Sequence, residues 1–208
     1  MKGLVLKDLY NLRKYGSTVL LISAFYVMLT FMMDNSNLFA GMIVLMFAIT
    51  SVTSFAYDSQ SGWDVYVQTL PVTAKDVVMS KYMLTFLLGL VGSLLALLIG
   101  WINGLIKNIP NFAEMLVTAY ALFAIGMIFI SILLPLVYKF GVERSRVIIL
   151  AIVAIPTAAF FVMAQTGNEV VPDEQTIRRA LLLSPVVIVV CGIVSFLVSH
   201  GIYRRKEV

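Results

Sequence analysis

Six apolar runs that contain no Asp, Glu, Lys or Arg occupy most of this 208-residue chain. A helix needs roughly 20 mostly apolar residues to cross about 30 Å of hydrocarbon, and each run approaches or exceeds that length. Hydrophobic residues make up 61% of the sequence, far above the share in soluble globular domains. We predict an all-α integral membrane protein with six spans, at about Ser17–Met33, Leu38–Ala56, Tyr82–Ile106, Met115–Tyr138, Val147–Gln165 and Val186–Tyr203.

The distribution of basic residues predicts the orientation of these spans. Cytoplasmic loops carry the excess of Lys and Arg, and six spans place both termini on one side of the membrane. Of the 15 Lys and Arg residues, 12 fall on that side. Both termini are therefore predicted to be cytoplasmic, and the net charge of +4 reflects topology rather than binding to nucleic acid. The single Cys191 and the lack of clustered ligands predict no intrachain disulfide and no metal site.

The first 16 residues are amphipathic. Leu9 and Leu12 recur at helical spacing on one face, and Lys7 and Lys14 recur on another. This pattern predicts an interfacial helix that directs its lysines toward anionic lipid and then turns at Gly16 into the first span. A basic topology anchor with no mechanical role is an equal alternative.

The only long polar stretch, Tyr57–Tyr82, follows the second span on the cytoplasmic side. We call it the polar segment. Trp63–Leu70 is predicted to form a compact helix, which Pro71 ends because the residue before a proline favours extended backbone. Thr73 is a candidate N-cap for a helix that leads into the third span. A short helix with exposed aromatic residues suits a groove on another protein, whereas an interfacial loop anchored by its aromatic residues is the alternative.

Two further patterns carry structural predictions. Small residues recur every four positions in the third span, at Gly92, Ala96, Gly100 and Gly104, and favour close helix packing within the chain over dimerisation. Near the end of the chain, a short outer helix over 173–183 is predicted to start after Pro172 and to break at Ser184–Pro185, before the last span.

The sequence also limits the source of energy. No GxxxxGK[ST] phosphate cradle occurs, so the chain is not expected to hydrolyse ATP alone. The predicted spans hold no charged residue, which disfavours a carrier coupled to protons or sodium ions. Energy for any transport is therefore expected to come from a partner.

The opening MKGLVLKDLYNLRK, the loop FAYDSQSGWDVYVQTLPVTAKDVVMSKY and the six-span plan resemble the ABC-2 type permease family, specifically its small bacterial members. The resemblance covers essentially the whole chain. It implies a single transmembrane domain over 1–208, in which 57–81 is a cytoplasmic coupling loop, 166–185 an outer loop with a short helix, and 204–208 a cytoplasmic tail. The residues it assigns to coupling are Tyr57, Asp58, Trp63, Asp64, Tyr66, Leu70 and Pro71.

In such permeases the coupling helix is received by a groove on a separate nucleotide-binding subunit, which the N-terminal interfacial helix also touches. The resemblance implies two ATPase subunits, which bind ATP and Mg, and a second permease chain, identical or homologous. This chain itself would bind no cofactor and catalyse no reaction. The implied role is export of amphipathic or antimicrobial-type peptides, or of other hydrophobic cargo, across a bacterial plasma membrane. A non-transporting immunity or sensor subunit is the alternative, and no substrate-binding residue is assigned.

Overall fold

All regular secondary structure in the described ranges is helical, as the sequence predicts. The structure is a computed structural model that describes residues 2–32, 36–107, 111–165 and 174–206. Five of its helices contain a stretch long and apolar enough to cross a membrane, namely Lys2–Met32, Phe39–Gln60, Ala74–Ile106, Phe112–Ser145 and Arg178–Arg205. The six α-helices are α1 (Lys2–Met32), α2 (Ser36–Gln60), α3 (Trp63–Tyr66), α4 (Ala74–Ile106), α5 (Phe112–Gln165) and α6 (Glu174–Lys206).

The first helix is continuous, and the turn predicted at Gly16 is wrong. A glycine inside a helix costs only about 1 kcal/mol relative to alanine, which packing on both sides of it can offset. Tyr15 stacks edge-on against Tyr57 of α2, with ring centroids 6.0 Å apart. Val19 packs against the buried cluster around Ile43 of α2. These contacts hold α1 against α2 before and after Gly16.

The second helix packs against α1, α4 and α5. It approaches α4 closely at Gly92, where an added Cβ would lie 3.2 Å from the backbone Cα of Val44 and 3.0 Å from the Cβ of Phe47. Ala96, one step further along the small-residue pattern, is buried together with Ala40 and Val44. This part of the pattern therefore serves packing within the chain, as the sequence favours.

The fifth helix contains a break at Gly141. Its φ of 78° and ψ of 175° are non-helical and suit a residue without a side chain. The fourth predicted span, Met115–Tyr138, precedes this break and the fifth, Val147–Gln165, follows it. Most side chains of that fifth span lie outside the described part of the structure, so the count of six spans stays a prediction.

The direction of the helices constrains the path between Gly141 and α6. Tyr120, near the start of α5, contacts Ser184 near the start of α6 through their hydroxyl groups, 2.7 Å apart. Tyr138, just before the break, stacks against Tyr203 near the end of α6, with ring centroids 5.9 Å apart. The first part of α5 and α6 are therefore parallel. The chain must return to the opposite end of the bundle between them, as a fifth span would.

The predicted break at Ser184–Pro185 is also wrong, because α6 is continuous through Pro185. Proline lacks the N–H that would bond the carbonyl four residues earlier, which here belongs to Leu181. The Ser184 hydroxyl donates to that carbonyl at 2.7 Å and so satisfies it. The predicted outer helix over 173–183 is instead the first part of α6, and its first residue, Asp173, lies outside the described residues.

Candidate functional site

A one-turn α-helix and a 3-10 turn occupy much of the polar segment between α2 and α4. Gly62 precedes α3 with a φ of 68°, a left-handed conformation that favours glycine. The single turn of α3 continues into a 3-10 turn at Val67–Thr69, which ends at Leu70 in extended backbone (φ −90°, ψ 150°). The stop predicted ahead of Pro71 is thus confirmed. The result is a compact helical corner of about two turns, rather than a long amphipathic helix.

Thr73 begins α4 with a capping box, which confirms the predicted N-cap. Its Oγ1 accepts a hydrogen bond from the Asp76 N–H, and the Asp76 carboxylate accepts one from the Thr73 N–H. The Thr73 hydroxyl also donates to the Asp76 carboxylate at 2.7 Å, and this bond, together with the one from the Thr73 N–H, lowers the pKa of the Asp76 carboxyl, which lies ahead of the apolar part of α4. The cap fixes where the polar segment joins the third predicted span.

Four charged residues from α1, α2 and α4 form a buried network next to this corner, which we call the charged cluster: Lys7, Asp8, Asp58 and Lys81. The Lys81 ammonium donates to Asp8 Oδ1 at 3.0 Å, to Ser54 Oγ at 2.6 Å and to Asp58 Oδ2. Lys7 Nζ donates to Asp58 Oδ1 at 2.7 Å and lies 3.0 Å from Asp8 Oδ1. Two positive and two negative charges balance within the cluster.

Three of the four charged residues are so deeply buried that their charges have to be paired. Asp8 is 1% exposed, Lys81 3% and Asp58 5%. A charge buried in an apolar environment is tolerated only when it is paired and hydrogen-bonded, and removal of one partner typically costs about 3–5 kcal/mol. The cluster therefore joins the N-terminal helix, the end of α2 and the start of α4 into one unit.

Lys7 corrects the expectation that the N-terminal lysines face lipid. Its ammonium pairs with the two aspartates and lies 3.9 Å from the ring centroid of Trp63. Such a cation–π contact contributes about 0.5–2 kcal/mol. Lys14 is exposed and Leu9 is 40% exposed, whereas Leu12 is buried. Lys7, one of the four residues predicted for an interfacial helix, thus contacts the first residue of α3 instead of lipid.

The polar segment presents only part of its predicted coupling residues at its surface. Tyr66 is 57% exposed, and its neighbour Val65 is 74% exposed. Pro71 is exposed and Leu70 half-buried. Trp63 is also half-buried and packs against the core cluster that contains Val67 and Val77.

The remaining coupling residues point elsewhere. Asp58 is committed to the charged cluster, and half-buried Tyr57 stacks against Tyr15 of α1. The side chain of Asp64 lies outside the described part of the structure. Of the predicted coupling residues, Tyr66 and Pro71 are therefore exposed, next to exposed Val65, whereas Trp63 and Asp58 pack beneath them.

A cavity of about 190 Å³ lies behind α3. Trp63, Asp58 and Lys81 line one side of it, and Tyr138 and Gly141 of α5 line the other. The Tyr138 hydroxyl is buried and has no hydrogen-bond partner among the described residues. The cavity thus borders both the charged cluster and the break in α5.

As site residues, sequence reasoning missed Asp8, Ser54, Lys81 and Val65. Asp8 follows Lys7 in an apparently solvated basic segment, and its partner Lys81 is 73 residues away, so no local pattern pairs them. Val65 belongs to a one-turn helix, which is too short for hydrophobic periodicity to identify the outward face. An acidic residue in an otherwise basic amphipathic helix is the one local signal that could have identified Asp8.

Comparison with known proteins matches the chain to one protein family. A family model described as ABC-2 family transporter protein matches residues 3–204. No curated protein and no solved structure matches the chain. The family match covers all six described helices except the ends of the first and last.

Proposed function

This chain belongs to the ABC-2 transporter family, and we propose that it is the membrane-spanning permease of a bacterial ABC exporter, driven by ATP hydrolysis in a separate subunit. Membership supports a transmembrane component that associates with an ATPase subunit and is generally not catalytic itself. In our proposal two such subunits bind ATP and Mg, and a second permease chain completes the assembly. Both termini and the polar segment lie on the cytoplasmic side of the plasma membrane.

The observation that carries this proposal is an exposed apolar corner that packs against the buried charged cluster. Val65 and Tyr66 are 74% and 57% exposed at the tip of the polar segment. Behind them, Trp63 contacts Lys7, which is bonded to Asp58 at 2.7 Å. An exposed aliphatic and aromatic pair beside buried ion-paired residues suits insertion into a groove of a partner protein. A displacement of this pair by the partner would be transmitted to α1, α2 and α4 together, because the charged cluster joins these helices.

The proposed cargo is an amphipathic or antimicrobial-type peptide or another hydrophobic molecule. The five candidate spans are strongly apolar, and large hydrophobic side chains are exposed along α1, α4 and α6. Such surfaces are compatible with a cargo that enters from the bilayer, and equally with ordinary lipid contact. A non-transporting immunity or sensor subunit is the competing function.

Copurification tests the proposed docking corner. The tagged chain is purified in mild detergent from its native membrane, and bound proteins are identified by mass spectrometry. We expect a soluble partner with a GxxxxGK[ST] motif at comparable stoichiometry. The double substitution Val65→Asp with Tyr66→Ala should reduce its recovery at least about tenfold, because burying an unpaired carboxylate in an apolar groove is costly.

The matched control replaces two exposed apolar residues at the other end of the bundle. Leu105→Ala with Ile106→Ala changes residues that are 50% and 64% exposed, and recovery of the partner should be unaffected. Equal recovery with both double variants would refute the docking corner. If no ATPase is recovered from the unsubstituted chain, the immunity or sensor function becomes the better account. With the ATPase identified, ATP-dependent peptide accumulation in inverted vesicles tests the export step.

A further inference from the structure

A second cavity, of about 250 Å³, lies at the opposite end of the bundle from the charged cluster. The ends of α1, α2, α4 and α5 enclose it. Its inner walls are buried small residues, Ala96, Gly104 and Ala119, and its mouth is formed by exposed Lys107 and Glu114. The volume is several times the roughly 30 Å³ of a water molecule, yet below the usual range of drug-sized pockets. It fits the polar head of a larger molecule.

One buried polar group in this cavity has an unused acceptor. Asn103 is 4% exposed, and its Nδ2 donates to the Thr30 carbonyl at 3.2 Å. That carbonyl lies in the last turn of α1, where carbonyl groups lack helical partners. The Asn103 Oδ1 has no hydrogen-bond partner among the described residues. A buried acceptor without a donor costs about 1–3 kcal/mol, so the cavity favours a molecule that brings an N–H or O–H group.

The charges at the mouth define the ligand further. Glu114 supplies a carboxylate whose Oε2 accepts a hydrogen bond from Asn111 Nδ2 at 3.4 Å. Lys107 adds a positive charge on the same rim. An opposite pair of charges beside a buried acceptor matches a zwitterion that carries a primary ammonium and an anionic group. We propose that this cavity binds the head group of an aminophospholipid, with the ammonium on Asn103 Oδ1 and Glu114 and the phosphate toward Lys107.

Two lipids that share a phosphate and differ in whether the head-group ammonium carries N–H donors test this proposal without nucleotide or partner. The chain is reconstituted in nanodiscs of phosphatidylethanolamine or phosphatidylcholine with matched acyl chains, and its Tm is measured. The trimethylammonium of phosphatidylcholine has no N–H to donate. We expect Tm to be about 2–4 °C higher in phosphatidylethanolamine, because a ligand that binds only the folded state stabilises it. Dimethylated phosphatidylethanolamine, with one N–H, should give an intermediate Tm.

Two variants assign the effect to the cavity. Asn103→Leu removes the acceptor but also the bond to Thr30, so it lowers Tm in both lipids and should abolish the difference between them. Gly100→Val fills the cavity while sparing that bond, since the nearest atom to an added Cβ is Met115 Cγ at 3.9 Å. It should abolish the difference as well.

The control variant is Gly192→Val on α6, where an added Cβ meets nothing within 4 Å. It should keep the full difference in Tm between the lipids. Equal Tm in the two lipids for the unsubstituted chain would overturn the proposal. A difference that persists in both Asn103→Leu and Gly100→Val would also overturn it, because the effect would then come from the bilayer and not from the cavity.

Discussion

Lys81 is the most constrained ionisable side chain of the charged cluster. It is 3% exposed, and its three ammonium donors are matched by Asp8, Ser54 and Asp58. A lysine placed there without its partners would be strongly disfavoured, since transfer of an ammonium group out of water costs several kcal/mol. Its full complement of acceptors explains how a charged side chain persists where α4 enters the apolar part of the bundle.

Replacement of Asp58 should destabilise the protein more than loss of an exposed charge does. Asp58→Asn leaves one excess positive charge near Lys7 and Lys81, with an expected loss of about 3–5 kcal/mol. The double variant Asp58→Asn with Lys7→Met keeps the Asp8–Lys81 pair neutral, so it should recover part of that loss. Thermal unfolding in detergent measures each difference.

The matched control for this experiment is Lys75→Met, which removes an exposed lysine from the same segment. Exposed ion pairs contribute about 0–1 kcal/mol, so its Tm should stay close to that of the unsubstituted chain. If Asp58→Asn and Lys75→Met unfold at the same temperature, or if the double variant is less stable than Asp58→Asn alone, the charge balance of the cluster is not what stabilises it.

Helix boundaries separate what local sequence determines from what tertiary contacts determine. The stop at Leu70 and the cap at Thr73 follow the prediction because the chemistry lies within a few neighbouring residues. The break expected at Pro185 does not form, because the adjacent Ser184 bonds the freed Leu181 carbonyl, a local contact that the prediction overlooked. Tyr120, 64 residues away, contacts Ser184 in addition. Continuity at Gly16 depends on Tyr57 of another helix. Contacts between distant segments could not be read from either pattern.

The role assigned to Ser184 in α6 predicts a coupling between two substitutions. Ser184→Ala should leave the Leu181 carbonyl without a hydrogen-bond donor and lower the free energy of unfolding by about 1–3 kcal/mol. In a Pro185→Ala background the restored backbone N–H bonds that carbonyl, so the same substitution should cost less. A thermodynamic cycle of the two single variants and the double variant measures the coupling free energy.

Tyr120 provides the control for this cycle, because Ser184 also contacts its hydroxyl at 2.7 Å. The cycle is repeated in a Tyr120→Phe background, where only the Leu181 carbonyl remains as a partner. The coupling between Ser184 and Pro185 should persist there. Additive effects in both backgrounds would show that the serine hydroxyl does not compensate for the proline.

The two ends of the bundle differ in chemistry, and this difference organises the whole molecule. At one end the charged cluster and the exposed corner at Val65 and Tyr66 lie beside a core that contains both Leu4 and Tyr203. Residues near the two termini therefore lie at the same end, as an even number of spans requires. At the other end, Asn103 and Glu114 line the second cavity. The proposed docking corner for the ATPase and the proposed lipid site are thus separated by the length of α4.

Cysteine accessibility tests this arrangement across the membrane. In a Cys191→Ala background, single cysteines replace Val65 at the corner, Phe112 at the start of α5 and Arg178 in the first part of α6, all of which are exposed. A membrane-impermeant maleimide applied to intact cells should label Phe112→Cys and Arg178→Cys. Val65→Cys should react only after permeabilisation, because 12 of 15 basic residues are predicted on the cytoplasmic side.

The pair of positions at Phe112 and Arg178 tests the fifth span specifically. The first part of α5 and α6 are parallel. The predicted fifth span between Gly141 and α6 would place the starts of both helices on one side of the membrane. Labelling of Phe112→Cys and Arg178→Cys from opposite sides would exclude that crossing and leave an odd number of spans. If both positions were labelled only from the cytoplasm and Val65→Cys from outside, the six spans would stand but the proposed orientation would be inverted. A cytoplasmic ATPase could then not reach the docking corner.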